Sequence, residues 1–213
     1  MIDLKLEDLN KVIEIDKQFL TIRVENIEYY KKLYFNYESL ILFYKDIKLI
    51  PYKEINVIKN PLELNLDDKK IINKLYSYLM KFSNNETKDK LSMIDKLIIE
   101  LISILEENIN FNLEYNDTVT IDQILSIYKV KVDDKSFGGD YLEKIIAFLK
   151  FNHEIMNYNL FLFFGLQHYL SKDELKVLKH EILSYDLQII DVMIYNTNLS
   201  DFDLIIDNDM CII

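Results

Sequence analysis

Three blocks near the carboxyl end of the chain decide the fold: LFLFFGL (160–166), SKDELKVLKHEIL (171–183) and LQIIDVMIY (187–195). The first and third are continuous apolar runs of strand length, which are typical of strands covered on both faces. The middle block is helical. Ser171 and Glu174 predict a capping box at its start, because the hydroxyl and the carboxylate satisfy each other's free backbone amides. A strand–helix–strand crossover implies parallel strands, so these blocks predict an α/β sheet.

The amino-terminal part of the chain extends this sheet. FLTIRV (19–24) predicts a strand, because β-branched residues alternate with other types. Asn26 is expected to cap a short helix at 27–37, whose aromatic residues recur at helical spacing. Lys45–Asp46 predicts a tight turn. Three more strands are predicted around that turn and after it: 40–44, 47–50 and 55–58.

The middle of the chain is predicted to be helical. Apolar residues recur at helical spacing over 67–82 and 90–108, and another helix is predicted at 140–156, after Gly138 and Gly139. Only 3 Gly and 2 Pro occur in 213 residues, which agrees with a high helix content.

These elements predict an α/β protein in which a helical segment interrupts the sheet. Both ends of the chain, 1–62 and 157–213, are expected to form one α/β head domain. The residues between them, 63–156, are expected to form a mainly helical insertion, because the apolar period there is helical.

The composition indicates a globular protein. With 50% hydrophobic and 13% aromatic residues the chain can bury a core, which disordered chains cannot. The start, MIDLKLEDLNK, lacks the basic and apolar regions of a secretory signal, and no uncharged apolar run reaches the roughly 18 residues of a membrane span. The single Cys211 is expected to lie buried in an apolar strand. We therefore expect a soluble, cytoplasmic protein.

The charge is strongly negative but unevenly distributed. The net charge of −11 argues by itself against a nucleic-acid partner, because phosphate binding needs a basic surface. From Glu181 to Ile213 the chain has acids but no Lys or Arg, whereas bases outnumber acids between Arg23 and Lys59. An oligomer can focus lysines onto one concave face. From composition alone, a mixed-charge solvated surface is the simpler interpretation.

Motifs for the common enzyme chemistries are missing. A phosphate-binding loop needs glycines followed by Lys and Ser or Thr, and no Gly-Lys-Ser/Thr follows Gly138, Gly139 or Gly165. The same scarcity removes a dinucleotide fingerprint. One Cys and three scattered histidines give no zinc spacing, and no nucleophilic triad is evident. We therefore expect that the protein is not an enzyme and uses no nucleotide cofactor.

One acidic segment offers oxygen ligands. Its acids are Glu106, Glu107, Glu114, Asp117 and Asp122, with Asn116 among them and no basic partner. Hard cations such as Ca²⁺ favour carboxylate and carbonyl oxygens in this kind of loop, although the ligand spacing of an EF-hand is missing. The residues alone allow two interpretations, a metal site or a solvated acidic turn, and the second is the simpler one.

The order of several blocks resembles a known family. The blocks are FLTIRVENIEYYKKLY (19–34), SMIDKL (92–97), LEY (113–115), TI before a short helix, VKV (130–132), LSKDE (170–174) and the ending Asp207-Asn208-Asp209 before a final apolar strand. In this order they resemble the ring-forming, DNA-end-binding adaptation proteins of type II-A CRISPR systems, in their short form.

The resemblance implies a fold and an activity. Family members have an α/β head related to P-loop ATPases, without a functional phosphate loop, and an inserted helical leg. They form homotetrameric rings, bind Ca²⁺, thread free ends of double-stranded DNA without sequence preference, and act in spacer acquisition with the CRISPR integrase and the effector nuclease.

The resemblance also implies site residues. The expected calcium ligands are Glu114, Asn116, Asp117 and Asp122. Among the expected DNA-binding lysines, Lys131 matches a family lysine, whereas charge alone places the rest: Lys45, Lys48, Lys53 and Lys59. The alternative is a degenerate P-loop-like enzyme or a scaffold that binds only protein, and dependence of duplex binding on free ends separates the two hypotheses.

Overall fold

The computed structural model describes residues 2–6, 11–37, 40–44, 47–50, 53–133, 139–194 and 203–213. The chain forms two compact units. Met1–Leu64 together with Phe137–Ile213 make up the first unit, and Asn65–Ser136 make up the second.

Within the described residues, many of the strands and helices lie where the sequence predicts them. The strands are β1 (Ile2–Leu6), β2 (Lys11–Ile15), β3 (Phe19–Val24), β4 (Leu40–Tyr44), β5 (Ile47–Lys48), β6 (Ile55–Ile58), β7 (Leu160–Phe164), β8 (Gln188–Ile194) and β9 (Leu204–Ile206). The helices are α1 (Ile27–Phe35), α2 (Lys69–Met80), α3 (Asn85–Glu106), α4 (Ile121–Ile127), α5 (Tyr141–Met156) and α6 (Lys172–Ser184).

A five-stranded sheet organises the first unit. Its strand order is β6-β7-β8-β3-β9, and all neighbouring strands are parallel. Every residue of β7 is buried, as expected for a parallel strand covered on both faces. The predicted crossover from β7 through α6 to β8 is confirmed, and Ser171 and Glu174 form the predicted capping box. The chain is therefore an α/β protein with a parallel sheet.

The first unit also contains a second, antiparallel sheet, in which the predicted strands β4 and β5 are joined by β1 and β2, two strands that were not predicted. Its strand order is β2-β1-β4-β5. Along β1, Leu4 and Leu6 are fully buried, while Asp3 and Lys5, which alternate with them, are partly exposed. This is the alternation of a half-buried strand. The alternating charged and apolar residues at the start of the sequence were thus a strand signal.

The second unit is helical. Leu75 is the buried residue of α2, and the Tyr76 hydroxyl donates a hydrogen bond to the Leu125 carbonyl at 2.9 Å, which ties α2 to α4. No residue of α3 is buried, although Leu91, Ile94 and Ile102 are partly covered. In one chain, therefore, the longest helix leaves much of its apolar surface exposed.

Helix α5 belongs to the first unit in the structure, although the sequence analysis places it in the insertion. Its residues Leu142, Ile145, Phe148 and Leu149 are buried. Two hydrogen bonds join it to the segment around β6: Asn56 Nδ2 donates to Asn152 Oδ1 at 3.0 Å, and the Tyr141 hydroxyl donates to the Pro61 carbonyl at 2.9 Å. The second unit therefore ends before α5 begins.

Some boundaries differ from the predictions. The helix predicted at 90–108 begins at Asn85, because Asn84 and Thr87 form a capping box there. The strand predicted at 47–50 ends at Lys48. The turn predicted at Lys45–Asp46 lies outside the described residues. Within the described part of the chain, we find no helix with the length and apolarity that crossing a membrane requires.

The carboxyl end is a turn rather than the predicted buried strand. Asp207 Oδ1 accepts backbone N–H bonds from Asp209 at 3.0 Å and Cys211 at 2.7 Å, which bends the chain back on itself. Ile212 then makes a single antiparallel bridge with Ile206. The prediction that Cys211 is buried was wrong, because this turn leaves the residue exposed.

One buried carboxylate lies at the centre of the parallel sheet. Asp191 is fully buried, and it accepts hydrogen bonds from the backbone N–H groups of Leu166 at 2.8 Å and Gln167 at 2.9 Å. The Gln167 side chain donates to the hydroxyl of Thr21, which lies beside Asp191 in the register of β3 and β8. This network connects β3, β8 and the turn after β7.

Candidate functional site

An open groove in the second unit gathers three of the four predicted calcium ligands. Asn116, Asp117 and Asp122 line it, and its volume is about 480 Å³. Asp95 of α3 lines the same groove and was not predicted from the sequence. Carboxylate and amide oxygens are the donors that a hard cation prefers.

Hydrogen bonds fix the segment that carries these side chains. The Asp95 carboxylate accepts the N–H of Val119 at 2.8 Å, which holds the segment against α3. One residue later, Thr120 and Gln123 form a capping box that starts α4. Asp122 therefore lies in the first turn of α4, where the helix dipole favours a negative charge.

Glu114 is not among the residues that line the groove. Glu106, another acid of the same segment, is engaged locally, since its carboxylate accepts a hydrogen bond from the N–H of Leu113 at 2.7 Å. Across the ranges that the structure describes, no three His, Cys, Asp or Glu side chains are arranged to hold a metal ion. The groove of one chain is thus an open acidic surface, and its binding of calcium stays a prediction.

Three of the predicted DNA-binding lysines belong to the first unit. Lys48 and Lys53 are exposed. The Lys59 ammonium lies over two aromatic rings, 5.3 Å from the centre of Tyr34 and 4.8 Å from that of Tyr37. Such cation–π contacts hold the side chain in place. Lys45 lies outside the described residues.

Lys131 belongs to the second unit. Its Nζ lies 2.8 Å from Oδ2 of Asp67, and both side chains are about half exposed. An exposed pair of this kind contributes little to stability, because water screens it. The contact places the Lys131 side chain beside Asp67, just before α2 begins.

The first strand-to-helix turn of the parallel sheet is not built for phosphate. At the start of α1 the Asn26 side chain accepts the N–H groups of Glu28 and Tyr29, each at 3.0 Å. Glu25 pairs with Arg23 at 2.8 Å, and Glu28 adds a second carboxylate in the first turn. These amides are already satisfied and acids lie beside them, so the turn is unfavourable for an anion.

The fold defines an α/β protein with a parallel sheet and a helical unit within the chain. Comparison with known families matches residues 33–210 to the family described as CRISPR-associated protein (Cas_Csn2). The chain belongs to this family, as the order of its sequence blocks predicted. No curated protein matches the sequence.

Proposed function

We propose that this protein binds free ends of double-stranded DNA, without sequence preference and without catalysis, as a calcium-dependent homotetrameric ring. In this proposal it acts in the cytoplasm during CRISPR spacer acquisition, together with the integrase and the effector nuclease. The first unit serves as a head related to P-loop ATPases, and the second serves as the helical leg. The observation that carries the proposal is the family match over residues 33–210.

Two features of the structure support the proposal, one for assembly from several copies and one for a role without nucleotides. The second unit leaves apolar residues exposed, among them Leu97 and Leu101, so a further copy has a surface to cover. The anion-unfavourable turn before α1 supports a role that does not use nucleotides. A degenerate enzyme or a scaffold that binds only protein gives no reason for dependence on DNA ends.

A trapping experiment tests the proposal. Linear duplex is bound to a surface at one end, the protein is added with calcium, and the free end is then blocked with a bulky group. We expect the protein to resist a high-salt wash only on this DNA, because salt dissociates phosphate contacts but not a ring threaded on a blocked duplex.

Closed circular duplex and linear duplex blocked before addition are the controls. Neither offers an end for loading, so both are expected to lose the protein in the wash. Equal retention on all three DNAs contradicts threading, and the absence of binding to any duplex at low salt contradicts DNA binding itself.

Calcium is expected to stabilise the folded protein through the acidic groove. Its oxygens suit a hard cation, and a cation that binds only the folded state adds stability by mass action. At a hundredfold excess over the dissociation constant the gain is about 2.7 kcal/mol, or roughly 5–10 °C in melting temperature. Magnesium should do less, because it gives up its water reluctantly.

Substitutions test which of the acidic residues bind calcium. Asp117→Asn with Asp122→Asn should abolish the calcium shift and leave the calcium-free melting temperature close to that of the unmodified protein. Glu114→Gln tests whether the residue outside the groove takes part. A full calcium shift in the Asp117/Asp122 variant shows that the acids are an ordinary solvated turn.

A further inference from the structure

Helix α2 has a lysine-bearing outer face. Lys69, Lys70, Asn73, Lys74 and Ser77 are all exposed, and together with Asp68 they line an open groove of about 660 Å³. Residues at these spacings share one side of a helix. The other side faces inward and carries Ile71, Ile72, Leu75 and Tyr76. From Lys69 to Ser77 the outer face is therefore polar and predominantly cationic, and the exposed Met80 follows it at the end of the helix.

The fold brings Lys131 to the same region. The Leu125 carbonyl accepts both the Tyr76 hydroxyl and the Val130 N–H, each at 2.9 Å, so the chain that leaves α4 is held beside α2. Lys129 adopts a left-handed conformation (φ 49°) in this turn. Lys131 then reaches Asp67, two residues before α2 begins, at 2.8 Å. A residue that is distant in sequence thus joins the lysines of α2.

The charge balance of this surface favours an anionic partner. Four lysines, Lys69, Lys70, Lys74 and Lys131, lie with two acids, Asp67 and Asp68. The Asp68 carboxylate is already used by the N–H of Lys70 at 2.7 Å. The Asn73 side chain adds an uncharged hydrogen-bond donor of the kind that contacts phosphate oxygens, whereas the Ser77 hydroxyl already donates to the Asn73 carbonyl at 2.9 Å. Cations spread along a helix fit a polymer with repeated negative charges better than a single small anion.

We propose that Lys69, Lys70, Lys74 and Lys131 form one phosphate-contacting surface for duplex DNA, and that the Asp67 carboxylate weakens it by pairing with Lys131. The inference rests on the proposed DNA-binding function and assigns three lysines of α2 that the sequence analysis did not. It also groups Lys131 with these lysines through the contacts of the second unit.

Salt dependence is the measurement that tests this surface. Binding of a short blunt-ended duplex of mixed sequence is followed by fluorescence anisotropy over a series of salt concentrations. Each lost phosphate contact should make the slope of log K against log salt shallower by about 0.9. For Lys69→Gln, Lys70→Gln and Lys74→Gln together we expect a change of about 2–3 in this slope. Gln and Lys have similar helix propensity, so α2 should remain folded.

Asp67→Asn gives a test in the opposite direction. Removing this carboxylate releases Lys131 from its ion pair and takes a negative charge from the surface. Binding is expected to become several-fold tighter, which a loss of structure would not produce. Unchanged or weaker binding removes Lys131 and Asp67 from the proposed surface.

The matched control is Lys88→Gln with Lys90→Gln. These residues lie in the first turns of α3, which follow the far end of α2, and α2 is about 18 Å long. The control should keep the slope of the unmodified protein. An equal loss in the control, or an unchanged slope in the α2 variant, overturns the assignment of this face. If the unmodified protein binds no duplex, the proposed function fails, and this surface fails with it.

Discussion

The variant Leu97→Glu with Leu101→Glu is expected to lose the proposed tetramer and, with it, the proposed salt-resistant retention on end-blocked linear DNA. Met93, Leu97, Leu101 and Ile104 recur at spacings of one helical face, and Leu97 and Leu101 are 63% and 57% exposed. The partly covered Leu91 and Ile102 lie on another side of the same helix, whereas the partly covered Ile94, three residues before Leu97, borders the stripe. The stripe is therefore the surface of α3 that a second copy can bury.

The expected effect is large. Burying a leucine contributes about 1.5–3 kcal/mol, and each 1.4 kcal/mol changes an association constant tenfold. Replacing two buried leucines by charges should thus weaken the contact by at least a hundredfold. Light scattering after size-exclusion chromatography gives the mass in solution. Leu and Glu have similar helix propensity, so the far-ultraviolet circular dichroism should not change.

Val177→Glu with Leu183→Glu is the matched control. Both residues are exposed on α6 in the first unit, at 49% and 61%. This variant should keep the mass of the unmodified protein. If the Leu97/Leu101 variant also keeps that mass, the stripe on α3 is not an interface between copies.

The buried Asp191 is expected to give the folded protein an unusual dependence on pH. Burial raises the pKa of Asp191 to about 6 from 3.8, although the hydrogen bonds that its carboxylate accepts from backbone N–H groups lower the pKa. The folded state therefore takes up this proton more readily than the unfolded state. The stability that this group contributes is fully present below pH 3.8 and is lost as the pH rises through about 6.

Asp191→Asn isolates this effect, because Asn is neutral at every pH. As the pH rises from below 3.8 to above about 6, the unfolding free energy of the native protein should fall by about 2–3 kcal/mol relative to that of the Asn variant. Tyr30, near Asp191, titrates outside this pH range, since burial and the Asp191 charge raise its pKa to about 12. Urea unfolding at several pH values gives the free energies.

Thr21→Val serves as the control. It removes the hydroxyl that accepts the Gln167 amide but leaves the Asp191 carboxyl in place. We expect it to lose on the order of 1 kcal/mol at every pH and to keep the native pH profile. If Asp191→Asn shows the same profile as the native protein, another group is responsible for the pH dependence.

The buried strands were predictable because their sequences are unambiguous. β3, β7 and β8 are apolar runs bounded by turn or cap residues, and their bounds agree with the predictions within a few residues. β1 and β2 were missed because charged residues interrupt their apolar ones and no long apolar run marks them. The pairing of β1 with β4 depends on contacts between distant segments, which local patterns do not encode.

In the candidate site, too, the residues that are close in sequence were predicted, and those that meet only through the fold were not. Asn116, Asp117 and Asp122 lie close together in sequence, and they share the groove in the structure. Asp95 was missed because it lies within an amphipathic helix and meets Val119 only through the fold. The placement of Lys131 against Asp67, and of Lys59 between two tyrosine rings, likewise depends on tertiary contacts.

The pair of Lys131 and Asp67 also has a consequence for the order of folding. Ile55 of β6 pairs with Leu160 of β7, so this part of the sheet requires closure of a loop of roughly a hundred residues, and such long-range pairing is slow. Within residues 65–136, by contrast, helices form many contacts between residues that are close in sequence. When this unit folds, Lys131 Nζ comes to lie 2.8 Å from Oδ2 of Asp67. If the helical unit forms first, its two ends are already together, so the loop that must close before β6 pairs with β7 is much shorter. The helical unit then speeds the assembly of the parallel sheet, which lies in the other unit.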